Sequence, residues 1–393
     1  MPALALNPSL VLAPTDDGYL AFDAATGRVH HLNPTAALMV ELCDGTRATA
    51  DVLALVAPLL DARGRDESER WVESALRDGM ILMTSGATAP ADRAKSRWTA
   101  SSLAAKAEKL SENGSVLAAF ICQSRAAELD PDNPDRWYQL GDHAQSIGRR
   151  AVARDAYARY AARHPEDAEI EQILYSLRDD APPDRASDRC ITQIYQRFAS
   201  SYENCMIDEL EYRAPEHLAE ALARVVEGRR DLDVLDLGCG TGLFAPKLRP
   251  LARHLLGLDL SPAMLARARA RGLFDQLETA EMTAWLRDTA DRFGPFDLIA
   301  ACDSLIYFGD LHQVIVPAAS RLRPGGVMAF TLEHHATPPF RLTDTGRFAH
   351  HEDHVAEVAA DAGLRVVHLD RALLRYEYGE PVTGLVAVLR APA

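Results

Sequence analysis

None of the six cysteines in this 393-residue chain pairs as Cys-x-x-Cys, and none stands at zinc-ligand spacing from a histidine. Cys43, Cys122, Cys190, Cys205, Cys239 and Cys302 therefore read as reduced thiols, with no metal site expected, and point to a reducing compartment. Long apolar runs are also missing. Stretches such as Leu53–Leu60 are too short to span a bilayer, and no basic segment followed by an apolar core opens the chain. The expectation is a cytoplasmic protein without a membrane partner. Basic runs are lacking too: Arg149–Arg150 and Arg229–Arg230 are isolated pairs in a chain of net charge −15. Such a surface repels phosphate backbones, so a nucleic-acid partner is not expected. What remains is 48% hydrophobic and 25% charged, an ordinary globular balance, at a length that calls for two or three domains.

Composition divides the chain. Residues 1–85 mix strands and helices, residues 86–98 are small and polar, and residues 99–178 are Ala-rich and helical. Residues 179–188 hold Pro182–Pro183, which stops a helix, and alternating β and α patterns follow over residues 190–393. In the first zone Leu10–Ala13, Tyr19–Phe22 and Val29–Leu32 read as an antiparallel sheet, with turns at Asp16–Gly18 and Gly27. Asn33 caps a helix opened by Pro34, Thr49 caps a second, and Ser68–Leu76 makes a third, closed by Gly79.

The pattern Gly27, Val29, His30, Leu32, Asn33, Thr35, Ala36, Leu42, Cys43, Asp44 and Gly45 resembles the PqqD-like family, the recognition elements for ribosomally made, post-translationally modified peptides. The resemblance implies a small winged-helix-like domain that binds a precursor peptide's leader by strand addition, in a groove between Arg28–Leu32 and Ser68–Leu76. Val29, Leu32, Leu38 and Leu42 would build a core in any case. In the middle zone Trp137, Leu140, Gly141, Gly148, Ala156, Tyr157 and Pro165 fit a tetratricopeptide helix pair, and Pro131 precedes Pro165 by that repeat's period. One good repeat seldom stands alone, so a spacer packed on a neighbour is expected.

Asp233–Leu237 is an apolar strand running into Gly238-Cys239-Gly240-Thr241-Gly242. Glycines at a strand's carboxyl end admit a ligand close to the backbone. The next strand, His254–Leu258, ends in Asp259, spaced from the loop as the ribose-binding acid is in dinucleotide folds. The string VLDLGCGTG resembles motif I of the class I S-adenosylmethionine (SAM) methyltransferases, with a Rossmann-like seven-stranded α/β domain. The resemblance implies SAM as cofactor: Asp236, Gly238, Gly240 and Gly242 at its amino-acid end, Asp259 and Leu260 at the ribose, Glu281 and Met282 at the adenine. Met264 packs on adenine or in the core. Ile194–Leu218, DLIAACDSLIYFGDL and LTDTGRFAHHEDHV resemble the methyltransferases that carry a tetratricopeptide region, which implies a lid bearing Tyr195, Phe198 and Tyr202, with Tyr212–Arg213 beside the cofactor. Tyr202 either reaches the cofactor or packs within the lid. Glu203 stands where the family has Asp.

Asp303 begins the substrate-facing loop, with Tyr307 and Phe308 behind it. A base is needed only for an acceptor protonated at working pH, and the candidates are Tyr307, Glu333, His334, His335, His350 and His351. Loop histidines are more often solvated or structural. The expected function is methylation of a leader-bound precursor peptide. A small-molecule methyltransferase with a structural N-terminal module and a non-catalytic SAM-binding delivery scaffold stay open, as does a homodimer.

Overall fold

The computed structural model describes all residues except 1, 16–17, 85–97, 179–181 and 378–379. Most of the segment expected to be the first linker lies outside the described residues. The chain divides into two compact units, Met1–His164 and Pro165–Ala393.

The first unit begins with strands β1 (Ala3–Leu6), β2 (Leu10–Thr15), β3 (Gly18–Asp23) and β4 (Val29–Leu32). Helix α1 (Pro34–Leu42) starts where expected: the Asn33 side chain accepts from the Ala36 N–H, and Pro34 needs no partner for an N–H it lacks. Strand β5 (Asp44–Ala48), α2 (Thr49–Val56), α3 (Ala62–Arg77) and β6 (Ile81–Thr84) follow. Thr49 is the first helical residue rather than the cap, and Asp51 reaches back to the Ala48 N–H instead. Two three-stranded sheets result, β2-β3-β4 and β5-β1-β6. The second comes from strands the sequence did not reveal, because β1, β5 and β6 are only four or five residues long and lack strong alternation. Leu4, Met39, Val52, Val72 and Ile81 form the core between them.

Four helices complete this unit: α4 (Ala100–Glu112), α5 (Val116–Leu129), α6 (Pro134–Ser146) and α7 (Arg150–Ala161). At Gly141 a Cβ would lie 2.5 Å from the Tyr157 ring, so α6 and α7 approach closely only because that residue is glycine.

The second unit opens with α8 (Ala168–Leu177), a stretch that composition groups with the helices before it. Then come α9 (Asp188–Phe198), the single turn α10 (Tyr202–Asn204) continued by a π turn at Cys205–Glu209, and α11 (Ala214–Val226). The α/β part follows: β7 (Leu232–Leu237), α12 (Ala245–Leu248), β8 (Ala252–Asp259), α13 (Pro262–Arg271), β9 (Gln276–Thr279), α14 (Met282–Asp288), β10 (Phe296–Ala301), α15 (His312–Ala319), β11 (Leu322–His334), β12 (Phe340–Leu342), β13 (Phe348–His350), α16 (Glu352–Asp361), β14 (Arg365–Glu377) and β15 (Glu380–Arg390). Strands β9, β8, β7, β10 and β11 run parallel. The long antiparallel β15 inserts between β11 and β14, near the position expected from Val382–Leu389. These seven strands make the Rossmann-like methyltransferase sheet, in which Leu235, Leu237, Leu256 and Ile299 are fully buried.

Among the described residues the sheet holds nine strands rather than the expected seven. The additional pair is β12–β13. Strand β10 ends opposite Phe330, and β13 then pairs with Glu333 and His334 farther along β11. The hairpin therefore extends the sheet beyond the end of β10, against the loop where ligands bind in such folds. A Cβ at Gly309 in that loop would meet the rings of Phe340 and Phe348 at 2.6 and 2.8 Å.

Candidate active site

Strand β7 is buried because helices cover both faces of the parallel sheet, and its hydrogen-bonding ends at Leu237. The chain then turns with positive φ at Gly238 (+70°), Gly240 (+56°) and Gly242 (+83°). A Cβ on Gly238 would sit 2.4 Å from Ser304 Cβ, whereas one on Gly240 would meet only Met264 at 3.6 Å. Gly238 thus answers both to space and to backbone, and Gly240 to backbone alone. The Gly238 and Cys239 N–H groups donate to the Leu258 carbonyl at 2.7 and 2.9 Å. Asp259, at the end of β8, accepts from the Gly240 N–H and from the Ser261 N–H, each at 2.8 Å. These bonds tie the loop to the acid that follows it.

A cavity partly open to solvent lies over these strand ends. One end is lined by Asp236, Gly238, Gly240, Thr241, Asp259, Leu260, Met264, Glu281 and Met282. Asp236 is 1% exposed, and its Oδ2 has no hydrogen-bond partner among the described residues; neither does the hydroxyl of buried Thr241. Burial, with Asp259 beside it, pushes the Asp236 carboxyl up to about 7. Glu281 caps α14 through the Thr283 and Ala284 N–H groups and pairs with Arg185 at 3.2 Å. Burial would raise its pKa, but the Thr283 hydroxyl, these N–H groups and Arg185 hold it below the usual value.

The other end is aromatic and acidic. Tyr195, Tyr202, Tyr212, Cys302, Asp303 and Tyr307 line it. The Tyr195 and Tyr307 hydroxyls are 2.8 Å apart, and the Tyr212 hydroxyl is 3.5 Å from Cys302 Sγ. Burial pushes the Tyr195 hydroxyl up to about 12 and those of Tyr202, Tyr212 and Tyr307 well above their usual value, so all four are neutral. Asp303 has φ +57°, a left-handed conformation that Asp tolerates better than most residues. Its N–H donates to the Thr331 hydroxyl at 2.8 Å, and its Oδ2 pairs with Arg375 at 3.0 Å. Arg375 also pairs with Glu333, which Arg347 holds at 2.7 Å, and Arg347 in turn pairs with Glu377.

Several expected residues stand elsewhere. Arg213 is exposed and paired with Glu211 at 2.6 Å, because its backbone, not its side chain, is what docks here: its N–H donates to Leu374. Gly242 faces Phe274 and Arg271 on the α13 side. Glu203 is bound by Arg271 at 2.8 Å. The histidine candidates also miss the cavity wall. His350 is fully buried, stacked on His354 at 5.6 Å, and burial drives its pKa down to about 3. His334 is held beside Glu352, and His335 accepts from the Thr337 N–H. Their strand ends lie past the end of β10, and none of His334, His335 and His350 lines the cavity. His351 caps α16, and Glu333 is committed to two guanidiniums that keep its carboxyl below the usual value against its burial. The wall instead includes Arg185, in a segment that composition reads only as a linker, and Cys302; nothing in the local sequence marks either.

The family described as "Methyltransferase domain" matches residues 235–328, from β7 into β11. The chain is 30% identical over 184 residues to the malonyl-[acyl-carrier protein] O-methyltransferase of Salmonella typhimurium, covering 46% of this chain and 69% of that protein. It belongs to the SAM-dependent methyltransferases. The methyltransferase is also 32% identical to human methyltransferase-like protein 27 over 139 residues, and 30% identical to a ubiquinone biosynthesis O-methyltransferase of Xylella fastidiosa over 114 residues. These matches take in 35% and 29% of the chain, and 55% and 46% of the two relatives. Among solved structures, the N-methyltransferase NodS of Bradyrhizobium japonicum, in complex with S-adenosyl-L-homocysteine (SAH), is 21% identical with a TM-score of 0.40, covering 52% of this chain and 99% of that one. SAM is the methyltransferase's cofactor, and the buried, unpartnered oxygens of Asp236 and Thr241 beside two glycines with positive φ fit its polar amino-acid end.

Proposed function

We propose that this methyltransferase modifies a ribosomally made precursor peptide whose leader is held by residues 1–85. The observation that carries the proposal is the edge of β4. Among the described residues β4 pairs only with β3, leaving its other side open to an added strand. The Asp23 N–H donates to the Arg28 carbonyl, so by antiparallel alternation the Val29 and His31 backbone groups point to the open side. His31 is itself exposed. The sequence resemblance supplies the occupant, a leader in extended form. Tethering the leader raises the local concentration of the segment to be methylated.

Within the cavity, Asp236 and Thr241 would hold the cofactor's amino-acid end, Asp259 with Leu260 its ribose, and Glu281 with Met282 its adenine, with Met264 packed alongside. Met282 opens α14, where first-turn N–H groups have no intrahelical partner. The bound cofactor supplies a methyl carbon made electrophilic by the sulfonium charge. The chain's own task is to align an acceptor with that carbon and exclude water. The tyrosine-lined end serves both.

The curated relatives' names favour a second reading, an oxygen acceptor on a small or carrier-bound molecule. The test is anisotropy of a fluorescent leader peptide, taken from a precursor encoded beside the gene. Binding to the full chain, weakened by His31→Pro, supports the reading, because proline removes an edge N–H. Equal binding by the variant, or none by the wild type, overturns it.

A further inference from the structure

A buried cluster of unbalanced charge reaches the tyrosine-lined end of the cavity through Asp303. Three carboxylates (Asp303, Glu333, Glu377) are interlocked with two guanidiniums (Arg347, Arg375), one positive charge short of neutrality. The Asp303 side chain is 7% exposed, and its Oδ1 has no hydrogen-bond partner among the described residues, while Arg375 fixes Oδ2. A buried carboxylate oxygen without a donor is costly unless a ligand supplies one. Around it stand the rings of Tyr195, Tyr202, Tyr212 and Tyr307, whose faces attract cations. Among the described residues lining the cavity the one cationic side chain is Arg185, and it is engaged by Glu281 and Asp188. A carboxylate acceptor would find no uncommitted cationic side chain among the described lining residues, and a cluster of net negative charge close by.

We propose that the acceptor is an amine nitrogen, seated among the four tyrosines with its N–H directed at Asp303 Oδ1. This rests on the placement of SAM at the glycine-loop end, and it names the acceptor class of that same site. An ammonium must lose one proton before its lone pair can attack, and Asp303 Oδ1 takes it. The freed lone pair then forms the N–C bond as the S–C bond of the donor breaks, leaving its electron pair on sulfur. The methylated nitrogen regains a positive charge, which the tyrosine faces accept, and Asp303 returns its proton to solvent as the product leaves. On a leader-bound peptide this would be a lysine side chain of the core.

The test compares three probes of one shape on the full-length protein saturated with SAH: benzylamine, benzyl alcohol and benzoate, by calorimetry or saturation-transfer NMR. Benzylamine should bind at least about tenfold more tightly than either other probe, the scale of one charge-assisted hydrogen bond. Asp303→Asn should remove that preference while SAH still binds. If SAH binds and benzyl alcohol or benzoate matches benzylamine, the nitrogen assignment is overturned. It is also overturned if Asp303→Asn keeps the preference. Should that variant fail to fold, the wild-type comparison decides alone. If SAH does not bind the wild type, the cofactor placement fails, and this inference with it.

Discussion

Lowering the pH should weaken cofactor binding through one residue, Asp236. Its carboxyl sits at about 7 in the unliganded protein, raised chiefly by burial and secondarily by Asp259. A cationic ammonium placed against it is held only by the ionised form. At one pH unit below that pKa about a tenth of the molecules are ionised, and at one unit above about nine tenths are. If binding requires the carboxylate, affinity should fall about tenfold, or about 1.4 kcal/mol, in going from the plateau above pH 7 down to pH 6. The sign follows from linkage: the free site binds the proton, the liganded site does not, so affinity rises with pH up to the pKa and then levels. Calorimetric titration with SAH across this range gives the slope. Asp236→Asn should bind more weakly at neutral pH and lose most of the slope. 5′-Methylthioadenosine, which lacks the amino-acid portion, should show a shallower slope than SAH with the wild type, since only Asp259, itself raised by burial, would face it. A flat profile for SAH, or a slope that survives in full in Asp236→Asn, refutes the reasoning.

Other perturbations separate the cofactor end from the framework. Gly238→Ala places a Cβ 2.4 Å from Ser304 and forces an L-residue to φ +70°, at about 1–2 kcal/mol for the backbone alone; SAH binding should be lost, as calorimetry would show. His350→Phe should leave SAH affinity unchanged, since this ring lies outside the cavity wall. The depressed pKa of His350 means that the unfolded chain binds the extra proton first, so its contribution is present above about 6.5 and lost as pH falls toward about 3. Denaturant melts of His350→Phe should therefore show a flatter loss of stability in that window. Arg375→Met strands Asp303 and Glu333 without a shared cation and should cost about 3–5 kcal/mol in a denaturant melt.

The glycine-loop end of the cavity was legible in sequence because its elements are local. Gly238 and Gly240 follow their strand directly, Asp259 closes the next, and Glu281–Met282 open a helix; each reading needed only a short window. The acceptor end is built by distant segments. Asp303 meets Arg375 across 72 positions and Tyr195 meets Tyr307 across 112, and no periodicity or spacing encodes such pairs. The histidines stand apart from the cavity for a related reason: they lie at strand ends, but β13 carries the sheet past β10 and takes His334 and His350 with it. The resemblance implies Tyr212 and Arg213 together, but successive residues entering a helix point in different directions, and only Tyr212 lines the cavity. In the first unit, β1, β5 and β6 are strands by virtue of pairing across the chain rather than by local propensity.

The central claim, methyl transfer to a leader-bound peptide, is tested most directly by mass spectrometry of precursor peptides encoded beside the gene, incubated with the full chain and SAM. A gain of one CH₂ on a core residue, sharply reduced by His31→Pro while SAH binding is unaffected, is the expected result. No gain on any such peptide, from protein that still binds SAH, would contradict it.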